Sequence, residues 1–189
     1  QVSLQQGRFV VWPEGDRYAV WDAAADTRLG AFSAMSQRAL AISPDGGEVV
    51  RAHKGKLVCD VVAGGSRWSQ AAAAVTGVEI SADGQRLNAV GLGLVDMEDG
   101  EPVVRIEGAS RFSMTGRYLL VNQVDRAQQP ARILDAENGK QLWALKFVRA
   151  RTRRKASAEL LLLDAAGKSV VVRFHGKKRK GLWLYRRAG

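Results

Sequence analysis

Two short runs of this 189-residue chain carry side chains suited to recognition chemistry. Residues 146–157 read Lys-Phe-Val-Arg-Ala-Arg-Thr-Arg-Arg-Lys-Ala-Ser, and residues 175–181 read His-Gly-Lys-Lys-Arg-Lys-Gly. They contain Arg149, Arg151, Arg153, Arg154, Lys155, Lys177, Lys178, Arg179 and Lys180, and neither holds a carboxylate. Guanidinium and ammonium groups at this density bind anions, whether nucleic-acid phosphates, an anionic membrane surface or the carboxylates of an acidic protein. The bland alternative is a pair of solvated loops that keep the protein soluble. The wider charge pattern supports the sharper reading. Residues 146–189 carry 14 Lys/Arg against 2 Asp/Glu, whereas residues 1–145 carry 15 against 17. The net charge of +10 therefore resides in the last quarter, on a slightly acidic body.

Covalent and metal chemistry find less support. Cys59 is the single cysteine and sits in the apolar stretch Lys-Leu-Val-Cys-Asp-Val-Val, where a buried thiol is expected. His53 and His175 lack a second ligand at metal spacing. The carboxylates of Glu14-Gly15-Asp16 and Glu98-Asp99-Gly100 read as acidic turns. No nucleophile elbow or phosphate-binding loop occurs, and Gly91-Leu92-Gly93 reads as a turn between strands. The expectation is a non-catalytic protein with no metal and no cofactor. No apolar run approaches the roughly 18 residues that span a bilayer, so no transmembrane segment is expected. Residues 1–20 lack the basic start and apolar block of a secretion signal. The chain opens on Gln1, which suggests a processed product or a piece of something longer. The compartment stays open, with the cytoplasm the leading expectation.

The elements that position these residues follow from an internal repeat. An apolar residue, Ser, a few polar residues and Gly recur as Val2-Ser3-Leu4-Gln5-Gln6-Gly7, Ile42-Ser43-Pro44-Asp45-Gly46, Ile80-Ser81-Ala82-Asp83-Gly84 and Phe112-Ser113-Met114-Thr115-Gly116, with a degenerate copy at residues 162–167. Asp-Gly favours tight turns, so each copy predicts a hairpin turn. A second marker, an apolar residue then Asp, closes a strand at Asp22, Asp60, Asp96 and Asp135, and Leu184-Tyr185 falls at that place in the fifth copy. The aspartate steps are 38, 36 and 39 residues, then 50 to Tyr185. The serine series steps by 40, 38, 32 and 50. Two markers keeping one rhythm, long last step included, predict five repeats. The approximate spans are 1–35, 36–74, 75–108, 109–146 and 157–189, with a basic inserted connection at 146–157.

Each period holds four short runs of β-forming residues, here named strands a to d, and no stretch shows sustained helical periodicity. Four strands per period of about 40 residues is the pattern of an all-β propeller built from blades. Val20-Trp21-Asp22-Ala23, Leu134-Asp135-Ala136-Glu137-Asn138-Gly139 and Ile42-Ser43-Pro44-Asp45-Gly46 resemble WD-repeat-like and quinoprotein-like blades, and the resemblance runs along nearly the whole chain. The Gly-His dipeptide that opens many WD repeats is absent from every copy. The repeat phase predicts a first blade lacking strand a and a fifth lacking strand d. It thus predicts part of a larger propeller of six to eight blades, with an irregular five-bladed ring as the alternative. Trp12, Trp21, Trp68, Trp143 and Trp183 fall in strands and are expected between blades.

Alternating strand direction places the 146–157 connection and the 176–180 loop on the same face of the last blade. The nine cations are therefore expected to form one patch. The leading expectation is a binding scaffold, a domain or subunit of a larger assembly, docking an acidic protein or RNA through that face. The alternative, which the resemblance implies, is a quinoprotein-like enzyme or ligand sensor that uses the propeller centre.

Overall fold

The computed structural model describes residues 3–5, 8–33, 39–106, 108–113, 115–122, 131–145, 157–164, 166, 168–175 and 181–186. Those residues form β-strands and turns, arranged in five antiparallel sheets. The first sheet comprises β1 (Ser3–Gln5), β2 (Phe9–Glu14), β3 (Arg17–Asp22) and β4 (Thr27–Ser33). The second has β5 (Ala39–Ile42), β6 (Glu48–His53), β7 (Lys56–Val61) and β8 (Ser66–Ala71). The third has β9 (Gly77–Ile80), β10 (Arg86–Val90), β11 (Gly93–Asp96) and β12 (Pro102–Arg105). The fourth has β13 (Ala109–Phe112), β14 (Tyr118–Asn122), β15 (Ala131–Asp135) and β16 (Gln141–Leu145). The fifth has β17 (Ser157–Leu163), β18 (Ser169–His175) and β19 (Gly181–Arg186). In every sheet, chain order is also spatial order.

The sheets form two compact units, Gln1–Arg105 and Ile106–Gly189. In the first unit, β1 lies beside β5 and β5 beside β9, so the opening strands of three sheets adjoin. The period-2 alternation of a strand explains how the second sheet buries both faces. Ile42 and Val49 point to the first sheet, where they pack with Phe9, Val11, Val20 and Phe32. Their neighbours Ala41 and Val50, with Leu57 and Cys59, point the other way onto Ile80, Leu87, Ala89 and Val95 of the third sheet. Face-to-face packing of successive sheets is how blades bury what a single sheet cannot. In the second unit, Leu119, Leu120, Val121 and Ile133 are fully buried, and β17 lies against β14.

One expectation is corrected. The first sheet has a strand a, because β1 pairs with β2 through Ser3↔Val11 and Gln5↔Phe9. Val2-Ser3 was expected to open a turn of the recurring kind. That turn needs a short acceptor two residues after Ser, as at Asp45, Asp83 and Thr115, and a Gly next. Ser3 is followed by Leu4 and Gln5, and its Gly comes one residue late, so the segment extends and pairs. The fifth sheet has three strands among the described residues, as the repeat phase predicts.

Candidate functional site

Two recurring turns shape each sheet. At Ser43 the backbone N–H donates to the Glu48 carbonyl, the Gly46 N–H donates to the Ser43 carbonyl, and the Ser43 hydroxyl accepts from the Glu48 N–H at 2.9 Å. The same hydroxyl donates to Asp45 Oδ1, which also accepts from the Gly47 N–H. Ser81, with Asp83, Gly84 and Arg86, repeats every one of these bonds. Ser113, with Gly116 and Tyr118, repeats the backbone part, and its hydroxyl meets Thr115. Gly46, Gly84 and Gly116 sit at φ of 76°, 76° and 75°, a left-handed conformation that glycine adopts without strain. The Ser43 hydroxyl, with the Gly47 N–H, holds the Asp45 carboxyl below the usual range. These side chains are committed to the turn.

The aspartates that close strand c are equally committed. Asp22 Oδ1 accepts from the Ala24 and Ala25 N–H groups, Asp96 Oδ1 from Glu98 and Asp135 Oδ1 from Glu137. Their other oxygens do something the repeat spacing hides. Asp22 pairs with Arg8 at 2.8 Å, Asp60 with Arg51 at 2.5 Å, and Asp96 with Arg86 at 2.6 Å. The hydrogen bond from Arg8 holds the Asp22 carboxyl below its ordinary range. Relative to the residue opposite each aspartate, the arginine lies one position before (Arg8), two after (Arg51) or directly opposite (Arg86). No fixed offset marks it, although three arginines at strand b were visible as a residue type.

Trp68 joins successive sheets, as expected of a blade tryptophan. Its Nε1–H donates to the Met97 carbonyl at 2.8 Å, and its ring lies so close to Gly100 that a Cβ there would come within 2.7 Å. Trp12 differs, being 53% exposed on β2. The side chain of Trp183 lies outside the described residues. In the acidic turns Glu14 meets Arg28, and Asp99 accepts from the Glu101 N–H. Among the described residues no group of three His, Cys, Asp or Glu is placed to hold a metal ion.

Cys59 is fully buried between the second and third sheets. Burial above all, with the nearby Glu48 and Asp60 carboxylates, pushes its thiol up to about 12. The native protein is therefore expected to resist iodoacetamide at pH 8, and the urea-unfolded chain to be alkylated at Cys59 within minutes. Stoichiometric labelling of the native state would show that the sheets separate readily.

Arg149, Arg151, Arg153, Arg154, Lys155, Lys177, Lys178, Arg179 and Lys180 all lie outside the described residues, as does nearly all of the inserted connection. The strands that carry these segments are described. The 146–156 connection enters β17 at Ser157, and the 176–180 loop joins His175 of β18 to Gly181 of β19. Ser157 pairs with His175, and Phe174 pairs with Gly181. Both basic segments thus leave from the same end of the fifth sheet.

Comparison with known proteins finds no matching protein-family model and no matching curated protein. Solved structures do match. Kuenenia stuttgartiensis hydrazine synthase superimposes with a TM-score of 0.56 at 15% identity, over 92% of this chain and 54% of that one. The Cps50 (Swd1) β-propeller domain of Myceliophteria thermophila gives 0.56 at 18%, over 91% and 60%. Kluyveromyces lactis Hsv2 gives 0.56 at 12%, over all of this chain and 72% of that one. The fold is a β-propeller. The chain spans between about half and three-quarters of the length of these structures.

Proposed function

We propose that this propeller is a non-catalytic binding module of a larger assembly, and that it docks an acidic protein through the basic segments of its last sheet. The observation that supports this is the shared origin of the two segments at the Ser157, His175 and Gly181 end of the fifth sheet. Segments anchored a strand spacing apart bring their charges into one field, and the carboxylate-poor sequence around them leaves it uncancelled. The committed state of the repeat aspartates and serines also favours a scaffold, since those groups hold turns. RNA is the weaker candidate, because residues 149–155 lack the interleaved aromatics on which bases stack.

Replacing Arg153, Arg154, Lys178 and Arg179 with glutamine tests this reading. Exposed ion pairs contribute about 0.5 kcal/mol each, so four together give about 2 kcal/mol, or roughly 30-fold in affinity. Titration with polyglutamate by fluorescence anisotropy is expected to show that loss. Unchanged affinity would remove the basic segments from the function. Tighter binding of single-stranded RNA than of polyglutamate by the native chain would point to RNA instead.

A further inference from the structure

Asn138-Gly139 is a chemically reactive pair in the turn between β15 and β16. The chain has three asparagines, and Asn138 is the one that precedes a glycine. The side-chain amide of an asparagine is open to attack by the backbone nitrogen of the next residue. Glycine in that place has no side chain to hinder the approach. The new bond joins Gly139 N to Asn138 Cγ, and the bond from Cγ to Nδ2 breaks. The amide proton of Gly139 leaves with the side-chain amino group as ammonia. Water then opens the five-membered imide at either carbonyl. One opening yields aspartate. The other yields isoaspartate, in which the main chain runs through Cγ. Asn138 is exposed, so the water is at hand.

The closed turn occupies both reacting groups. The Gly139 N–H donates to the Asp135 carbonyl at 2.9 Å, and Asn138 Oδ1 accepts from the Lys140 N–H at 2.9 Å. Asp135 Oδ1 secures the same turn by accepting from the Glu137 N–H at 2.8 Å. A nitrogen whose proton is engaged loses it slowly, and a carboxamide fixed on Lys140 cannot swing its Cγ onto Gly139. Reaction therefore requires the turn to open.

The third sheet contains the same turn with an aspartate already in place. Asp99 and Gly100 stand where the fourth sheet has Asn138 and Gly139. Asp99 Oδ1 accepts from the Glu101 N–H at 2.8 Å, and Asp96 Oδ1 accepts from the Glu98 N–H at 2.8 Å. The Gly100 N–H donates to the Asp96 carbonyl at 3.1 Å. Gly100 and Gly139 sit at φ of 80° and 71°. The two turns match bond for bond, so aspartate at position 138 fits. Isoaspartate does not fit. It adds a methylene to the main chain, and its carboxylate sits directly on Cα, one carbon short of the arm that reaches the Lys140 N–H.

We propose that Asn138 is a site of spontaneous intramolecular deamidation, gated by its own turn. Closed, the turn preserves the amide. Opened, it converts to two products. Aspartate restores the turn with one added negative charge beside Glu137, and isoaspartate prevents its closure at the head of β16. The modification is thus a one-way switch at the β15–β16 hairpin.

Peptide mapping by mass spectrometry tests this on the 189-residue chain, incubated at pH 8 in its native state and unfolded in guanidinium. Deamidation at residue 138 is expected to be roughly tenfold or more faster in the unfolded chain. Asp135→Ala, which removes the acceptor of the Glu137 N–H, is expected to speed both Gly139 amide exchange and deamidation of the native chain. Asp135→Asn keeps an acceptor oxygen and is expected to retain the slow rate. Asn138→Asp is expected to keep the native urea midpoint. Equal rates in the native and unfolded chains, or faster Gly139 exchange in Asp135→Ala without faster deamidation, would overturn the gate. No reaction at residue 138 in the unfolded chain would overturn the site itself. A lowered midpoint for Asn138→Asp would overturn the fit of the aspartate product.

Discussion

Replacing Arg51 with methionine is expected to lower the stability of the chain by about 3 kcal/mol, measured by urea unfolding. Arg51 and Asp60 face each other across β6 and β7, with side chains only 12% and 11% exposed. Methionine keeps the aliphatic stem and removes the charge, so the loss is not one of volume. It leaves the Asp60 carboxylate in a largely buried position without its guanidinium, and an uncompensated buried charge is what makes breaking such a pair costly. Arg8→Met provides the contrast. Arg8 is 59% exposed, so water replaces much of what it supplies to Asp22. Its loss is expected to cost clearly less than the loss of Arg51. Equal losses for the two variants would mean that burial at the second sheet is not what makes the Arg51 pair matter.

Gly30→Ala is expected to be about as damaging, for a steric reason. Gly30 lies on β4, and a Cβ built there would come within 2.0 Å of the Val62 carbonyl oxygen and 2.7 Å of Val62 Cγ1. Val62 belongs to the second sheet's closing turn, whose position is fixed by the bond from its N–H to the Gly47 carbonyl at 2.8 Å. Backbone cannot move aside as a flexible side chain can. The first and second sheets must part, loosening the Phe9, Val11, Ile42 and Val49 cluster. Overpacking of this kind costs about 3 kcal/mol. Gly47→Ala is the matched control, because the nearest atoms to a Cβ there belong to Asp45 in its own turn, at 3.4 Å or more. It is expected to change stability by less than about 0.5 kcal/mol. A midpoint for Gly30→Ala indistinguishable from that of Gly47→Ala would contradict the close approach of the two sheets.

The repeat was legible because turns are local. Ser43-Pro44-Asp45-Gly46 and Ser81-Ala82-Asp83-Gly84 contain every side chain their turns require, and their spacing carries the period. Strand positions followed, since alternating β-formers between such turns leave little choice. The first sheet misled for the same reason. Ser3 looked like the start of a turn, but its neighbours lack the acceptor, and pairing with Val10 and Val11 decided the matter. The Arg–Asp pairs stayed hidden because they are cross-strand contacts whose offset changes from sheet to sheet. Register determines them, and register is a property of the pair of strands rather than of either segment. The contacts of Trp68 with Gly100 and the Met97 carbonyl are likewise unreadable in sequence, since they link residues about thirty positions apart across two sheets.

The basic segments present the opposite case. Their charge is plain in the sequence, and the pairing of Ser157 with His175 and of Phe174 with Gly181 supports bringing them together. The most direct test is the salt dependence of polyglutamate binding by the native chain and by the Arg153, Arg154, Lys178 and Arg179 glutamine variant. Docking through these cations gives affinity that falls steeply with added salt for the native chain, and clearly less steeply for the variant. Parallel salt dependences for the two proteins would contradict it.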